Sequence, residues 1–330
     1  MSWLKRPEVT DWMAEYNKAL EAQGEDSTIG CLRHRPSEGK SLDVQYSNTR
    51  IDGIGAMTEG LKSIGYASEE IPEFKYGKEP SRWKLWPELI GFLLRELQPI
   101  RPLPWIYRRP EKPYTTYGKC FQIFDVAETR ALQTKARAQG GNYTTLLLHG
   151  LNRAVNECLL ERPSLNRWHI PVNVRGLHGD GSEKKNYLSN FLQEIGPESS
   201  VSQILKEQFR QLRRGSFHAT FFFLNIGDFY GLKNVLPGKV SKAYQKPRCS
   251  ERVTGTFSSI GSWPKPTAKD HHPDEVLIPY GNVSLKNPIC ALNMLWWGKL
   301  TVSLQVHSSV VAGQAEAENL MKRWMENVRK

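Results

Sequence analysis

Residues 41–53 read Ser-Leu-Asp-Val-Gln-Tyr-Ser-Asn-Thr-Arg-Ile-Asp-Gly, and this stretch decides the fold class. Apolar and polar side chains alternate over 41–47, which is the pattern of a half-buried β-strand. Apolar residues then recur at helical spacing from Ile54 to Ile64. The order strand, tight loop, helix is therefore predicted at this point of the chain.

The rest of the sequence extends this alternation of strands and helices. A helix over 8–23 and a strand over 28–34 are predicted before the opening stretch, and a helix near 88–97 follows it in a region rich in proline and tryptophan. Later patterns predict a strand after Gly118 that includes Phe121 and Ile123. They also predict strands at 168–175 and 300–306, and helices at 127–139, 143–159, 202–213 and 317–328. The predicted class is mixed α/β.

The helix predicted over 143–159 has one apolar face, and three polar residues are expected to lie off it, namely His149, Asn152 and Asn156. The segment 271–275, His-His-Pro-Asp-Glu, superficially resembles a metal cluster. Its spacing fits no metal site, because proline separates the groups, and a polar surface loop is predicted instead. No metal is expected.

Composition narrows the class of protein further. The 330 residues carry 45 lysines and arginines against 34 aspartates and glutamates, a net charge of +11 that favours anionic partners. The five cysteines are widely spaced and form no Cys-x-x-Cys pair, which favours a reducing compartment. The sequence shows neither a signal peptide nor an apolar stretch of membrane-spanning length. A cytoplasmic location is therefore expected.

Four short motifs stand in a fixed order along these elements. Ser47-Asn48-Thr49-Arg50-Ile51-Asp52-Gly53 matches the pattern His-His-x-x-x-Asp-Gly except at its first two positions. Pro171–Arg175 matches Pro-Val-Asn-x-Arg, with Ser189-Asn190-Phe191 following it, and Ser258–Gly261 is similar to a Ser-Asn-x-Gly loop. In this order and spacing, the chain resembles the superfamily of CoA-dependent acyltransferases and nonribosomal-peptide condensation domains, which includes chloramphenicol acetyltransferase.

The resemblance implies a fold of two lobes with a tunnel between them. Residues 1–112 would form the amino-terminal lobe with the crossover, and 113–330 the carboxy-terminal acyltransferase-like lobe. Only 46 residues precede the motif, so the resemblance implies either a reduced amino-terminal lobe or a displaced start.

The resemblance also implies roles for individual residues. Ser47 and Asn48 take the two histidine positions, and the second is where the family holds its catalytic base. Asp52 would pair with Arg175 as a structural ion pair, and Gly53 would let the loop turn into its helix. The residues expected to line the tunnel or contact substrate are Asn173, Asn190, Ser258, Ser259 and Gly261.

Asn48 is the main departure from the family pattern. A carboxamide has no useful basicity, so Asn48 can orient a nucleophile without accepting its proton. General-base catalysis contributes about 10²- to 10⁴-fold to rate, and that contribution is expected to be lost. His149 or His307 would replace the base only if its side chain faced the tunnel; a satisfied or exposed histidine is the commoner case.

Several functions are compatible with this pattern. The first is an acyltransferase that binds an acyl thioester of CoA or of a carrier protein's pantetheine arm and directs it to a small alcohol or amine, in secondary metabolism. The second is a degenerate condensation-like module that binds a partner without catalysis. The third is a tunnel used for another natural-product reaction. Nucleic-acid binding rests on charge alone and is not favoured, and neither is an integral membrane position.

Overall fold

A computed structural model gives the fold of the chain. It describes residues 17–18, 20–22, 24–47, 53–63, 86–88, 90–91, 94, 102–108, 114–174, 188–224, 253–263 and 274–330. Three of the predicted site residues, Asn48, Asp52 and Arg175, lie outside these ranges. So do most of the helix predicted over 8–23 and most of the region 72–113.

Nine strands and six α-helices have defined bounds among the described residues. The strands are β1 (Thr28–Arg35), β2 (Lys40–Ser47), β3 (Thr116–Phe124), β4 (Asn166–Asn173), β5 (Leu188–Ile195), β6 (Gly255–Trp263), β7 (Val276–Tyr280), β8 (Ile289–Trp296) and β9 (Lys299–His307). The helices are α1 (Gly53–Ser63), α2 (Val126–Ala138), α3 (Tyr143–Cys158), α4 (Val201–Arg214), α5 (Ser216–Leu224) and α6 (Gln314–Arg329). The mixed α/β class is confirmed, and so are the strand and the helix predicted within 41–64; residues 48–52, where the loop between them is predicted, lie outside the described residues.

Local sequence explains where three of the helices begin. Asp125, Asn142 and Ser200 are the N-caps of α2, α3 and α4, and each accepts a hydrogen bond from the backbone N–H three residues later. In each case the side chain of that third residue bonds back to the N-cap backbone, which completes a capping box. These helix starts are therefore fixed by local hydrogen bonds.

The strands form two sheets. One sheet has three strands in the order β2-β1-β7, and the other has six in the order β3-β9-β8-β6-β4-β5. β7 comes from late in the chain yet pairs with β1 in antiparallel register. The division at residue 112 remains a prediction, and β7 joins the first sheet from beyond that boundary.

One face of the six-stranded sheet is covered by helices. Trp168 of β4, Phe257 of β6 and Val302 of β9 belong to the core that this sheet forms with α3 and α6. The indole of Trp324 on α6 donates a hydrogen bond to the Leu147 carbonyl on α3 at 2.8 Å. This face carries the largest buried apolar cluster among the described residues.

The opposite face of the six-stranded sheet, here called the inner face, packs against the three-stranded sheet and α1. Met57 and Leu61 of α1 share a buried cluster with Ile260 and Trp263 of β6 and Ile278 of β7. Hydroxyls on β9 add polar links: Thr301 donates to the Leu277 carbonyl at 2.9 Å, and Ser303 donates to the Pro279 carbonyl. The inner face therefore carries a second core, which joins the two sheets.

Polar residues in two segments are buried, which the sequence pattern alone does not predict. Asn152 and Asn156 on α3 are buried; Asn152 Oδ1 accepts hydrogen bonds from Trp168 Nε1 and Asn166 Nδ2. These hydrogen bonds satisfy the side-chain oxygen of Asn152, a residue that helical spacing alone places off the apolar face. Glu275 is also buried and binds Arg33 and Arg35, so the polar surface loop predicted over 271–275 is wrong at this residue; residues 271–273 lie outside the described residues.

Candidate active site

The first motif begins at the end of β2. Ser47 closes that strand, and its hydroxyl donates to Glu21 Oε1 at 3.3 Å. The same carboxylate oxygen accepts a hydrogen bond from Ser27, next to the start of β1. Glu21 therefore anchors the residue before Asn48 to the segment that precedes β1.

The motif ends at the first residue of α1, which lies against β6. A side-chain carbon added to Gly53 would lie 4.0 Å from Ile260 Cδ1. Ile260 belongs to the last of the four motifs, Ser258–Gly261, so the structure brings these two predicted site segments together. The N-terminus of an α-helix carries a partial positive charge, and α1 places one at the inner face of the six-stranded sheet.

The segment Ser258–Gly261 is part of β6, so the predicted loop is wrong. The strand is irregular here: its register with β8 shifts between Ser259 and Ser262, and Gly261 has φ of 91°. Such a bulge bends a strand while keeping most of its pairing, which explains why the sequence pattern is that of a loop. The positive φ at Gly261 favours glycine.

A buried amide supports this irregular strand. Asn293 of β8 is fully buried; its Oδ1 accepts from the Ser259 hydroxyl at 3.0 Å, and its Nδ2 donates to the Ser258 carbonyl at 3.1 Å. The Ser-Asn-x-Gly pattern has asparagine at the position of Ser259. The amide here comes from the neighbouring strand, a contact that only the sheet pairing reveals.

A gap opens between β4 and β6 beside these residues. The two strands are parallel but pair only at Trp168 with Gly255 and at His169 with Thr256. Beyond that point β6 continues along β8, while β4 continues along β5 to Asn173. Ligands of open α/β sheets bind where neighbouring parallel strands separate, so this gap, here called the β4–β6 cleft, is the candidate binding region.

Asn173 and Asn190 lie on the β4 side of the cleft. Trp168 and Val172 pack on the helix face, so the alternation of a strand places Asn173 on the inner face. Asn173 is buried at the end of β4, and Asn190 is half-buried opposite Pro171 on β5. The structure therefore places them across the cleft from Ser258 and Gly261. Their roles in substrate binding stay predictions.

The two histidines considered as substitute bases lie elsewhere. His307 is buried; Nε2 lies 3.0 Å from Glu25 Oε2, and Nδ1 lies 2.8 Å from Ser309 Oγ. His149 lies on α3, on the helix side of the sheet. Burial lowers the pKa of His149, with a further contribution from Arg153, while a backbone hydrogen bond at Ser199 opposes it.

His169 is the histidine that the sequence reasoning missed. It stands at the last paired position of β4 and β6, and it faces the inner side because Trp168 faces the helices. Burial lowers the pKa of its imidazole to about 4. The ring is therefore neutral at pH 7. The sequence signal was its place in the strand that leads to Pro171–Arg175.

Comparisons with known proteins support the fold. No protein-family model and no curated protein match the sequence. Among solved structures, TRI3 trichothecene 15-O-acetyltransferase from Fusarium sporotrichioides is similar at a TM-score of 0.59 and 12% identity, covering 98% of this chain and 75% of that one. The condensation domain of the monacolin K polyketide synthase MokA has a TM-score of 0.56 and 8% identity, with 88% and 69% covered.

A third similar structure is the EpoB nonribosomal peptide synthetase cyclization-docking bidomain from Sorangium cellulosum. It has a TM-score of 0.52 and 11% identity, and it covers 88% of this chain, which spans 59% of the bidomain. The chain therefore has the fold that condensation domains and CoA-dependent acyltransferases share. No helix in the described part of the chain has the length and apolarity that a membrane span requires.

Proposed function

We propose that the protein is an acyltransferase that moves an acyl group from a thioester to a small alcohol or amine. The observation that carries the proposal is the closeness of Gly53, the first residue of α1, to Ile260 of β6 beside the β4–β6 cleft: a side-chain carbon at Gly53 would lie 4.0 Å from Ile260 Cδ1. This brings the end of the first motif next to the last motif, at a gap in the sheet. The donor would be acyl-CoA or an acyl group on the pantetheine arm of a carrier protein.

The reaction would proceed by direct attack. The acceptor's oxygen or nitrogen bonds to the thioester carbonyl carbon, the carbon–sulfur bond breaks, and the thiolate leaves with the proton that the acceptor loses. Backbone N–H groups at the α1 N-terminus are suited to stabilise the negative charge that develops on the carbonyl oxygen. Asn48 would orient the acceptor by hydrogen bonding, so the reaction would favour acceptors that need no strong base.

The net charge of +11 supports an anionic donor, whether the phosphates of CoA or an acidic carrier protein. A cytoplasmic location and a role in secondary metabolism belong to the same proposal.

A second candidate function follows from Asn48 itself. A protein that kept this fold and lost the family's base would bind a thioester or a partner without turning it over.

One experiment separates the two functions. Acyl transfer and thioester hydrolysis are measured with a panel of acyl-CoA donors and amine or alcohol acceptors, on wild type, Asn48→His and Asn48→Ala. Turnover by wild type that falls in Asn48→Ala supports the acyltransferase. Silence of wild type with activity in Asn48→His supports the binding module. Silence of all three, with donor binding demonstrated by calorimetry, contradicts acyl transfer.

A further inference from the structure

Three polar side chains meet at the closed end of the β4–β6 cleft. His169 and Thr256 are direct neighbours on adjacent strands, which lie about 4.8 Å apart. Thr256 faces the inner side because the next residue, Phe257, packs on the helix face. Asn287 reaches the same point from the turn before β8, and its Nδ2 donates to Thr256 Oγ1 at 2.7 Å.

Two of these side chains have unused hydrogen-bonding capacity. Asn287 Oδ1 is buried and has no hydrogen-bond partner. The His169 ring makes no hydrogen bond with any residue in the described part of the chain, although its neutral form has one donor and one acceptor nitrogen. A buried acceptor left unpaired costs about 1–3 kcal/mol, so such a group in a native protein needs a hydrogen-bond donor that the described residues do not supply.

We infer that His169, Thr256 and Asn287 form a polar subsite that binds a hydroxyl or ammonium group of the acceptor substrate. That the ligand is an acyl acceptor rests on the proposed function. That a polar subsite exists here rests on the geometry alone. A ligand O–H or N–H would donate to Asn287 Oδ1, and a second polar contact would go to the His169 ring. Along the strand, Thr256 lies about 13 Å from Ile260, at about 3.3 Å per residue.

The distance of about 13 Å between Thr256 and Ile260 decides which part of the acceptor the subsite binds. In the proposed reaction the reacting centre lies at the start of α1, close to Ile260, so the subsite would hold the far end of an acceptor and would not touch the bond that forms. His169 is therefore a specificity-determining residue. The class of acceptor it selects is a molecule with a second hydrogen-bond donor several bonds away from its nucleophile, such as a diol, an amino alcohol or a diamine.

The subsite is tested by binding, without turnover. Imidazole signals of the ¹⁵N-labelled protein are recorded by long-range ¹H–¹⁵N NMR, and His169→Gln identifies the His169 signal. The probes are 1-butanol, n-butylammonium and butyl methyl ether, which has no donor. We expect saturable shifts of the His169 signal with the first two probes and none with the ether. His149→Gln, on the other side of the sheet, is the matched control and should keep the shifts.

Asn287→Leu tests the second group, and we expect it to weaken binding of n-butylammonium about tenfold, as for loss of one hydrogen bond. Equal shifts with the ether, or no shift with any probe, overturn the inference. In the acyl-transfer assay, His169→Gln should raise KM for a diol about tenfold and leave kcat nearly unchanged. Donor-selective binding without acyl transfer would contradict the proposed function and leave the subsite in place.

Discussion

At Gly30 of β1, the absence of a side chain allows two groups to approach the backbone. A side-chain carbon there would overlap the Val44 carbonyl and would lie 2.5 Å from the Tyr280 hydroxyl. That hydroxyl donates to Asp43 at 2.5 Å, so it has little freedom to move away. The close contact therefore requires glycine.

We expect Gly30→Ala to lower the free energy of unfolding by about 1–3 kcal/mol, because the tyrosine or the β1–β2 backbone has to shift. Gly60→Ala is the matched control. It lies within α1, where the described residue nearest to the added carbon is Tyr46, with its hydroxyl oxygen at 3.7 Å, and alanine should stabilise the helix by about 0.5–1 kcal/mol. Urea denaturation of both variants measures the difference, and a neutral Gly30→Ala would contradict the packing described here.

His169 predicts a dependence of stability on pH. Its pKa is lowered from the ordinary value of 6.5 to about 4, so between these values the unfolded chain binds a proton that the folded protein does not. Its contribution to the free energy of unfolding therefore falls as the pH drops through this window, by at most about 1.4 kcal/mol per pH unit.

Urea denaturation at several pH values between 7 and 4 checks this prediction. Wild type should lose stability relative to His169→Gln as the pH falls, because glutamine does not titrate. Parallel pH profiles for the two proteins would show that the imidazole is hydrated in the folded state.

Among the secondary-structure elements, the segment before β1 is fastened to the end of β9 by a buried pair. Glu25 binds His307 through one carboxylate oxygen at 3.0 Å and accepts the Leu285 backbone N–H through the other at 3.3 Å. The second ring nitrogen of His307 contacts Ser309. This group of residues connects three distant parts of the sequence.

We expect Glu25→Ala to lower the free energy of unfolding by about 2–3 kcal/mol, since it leaves a buried imidazole nitrogen and a backbone N–H without their acceptor. Hydrogen exchange of the amides in 24–31 should rise more than that of α3. Glu198→Ala, at an exposed carboxylate, should change stability by less than about 0.5 kcal/mol. If Glu25→Ala and Glu198→Ala changed the free energy of unfolding equally, the Glu25–His307 pair would have no special role in stability.

Periodicity in the sequence predicts most of these elements but not the sheets they form. The alternation over β9 and the helical spacing in α6 are strong local signals, and both elements are confirmed. β7 is a short apolar run that pairs with a strand distant in sequence, so nothing local marks it. The candidate site is predictable only in part. The motifs that contain Gly53 and Ser258–Gly261 are visible in the sequence, and the structure brings them together. Asn293 and His169 are not visible in this way, because their positions at the site depend on which strands pair.

For the whole molecule, a cluster centred on Asp43 joins the two sheets. Asp43 of β2 accepts hydrogen bonds from Tyr280 of β7 and, at 2.9 Å, from Lys119 of β3. The Lys119 ammonium also lies over the Tyr280 ring, 4.7 Å from its centre. Partial burial would raise the pKa of Asp43, but hydrogen bonds from Tyr280, Gln45 and Lys119 outweigh it and lower the pKa.

This cluster predicts acid-induced loosening between the sheets. A carboxyl group whose pKa is lowered on folding stabilises the protein above its unfolded pKa, and that contribution is lost as the pH falls through the folded value. We expect Asp43→Asn to reduce stability at pH 7 by about 1–2 kcal/mol and to flatten the pH profile below pH 4. Thermal denaturation across pH 2–7 measures both. A variant profile with the wild-type slope would assign the acid sensitivity to other carboxylates.

The late position of β7 also governs how the chain is made. During synthesis, β1 and β2 leave the ribosome long before Val276–Tyr280 are translated. The edge of β1 that pairs with β7 in the folded protein therefore stays unpaired while most of the chain is made. An open strand edge is a template for pairing with other chains, and contacts between residues so distant in sequence slow folding. Expression at low temperature or with chaperones that hold nascent chains should therefore raise the yield of native protein, and a fragment ending before residue 276 should aggregate.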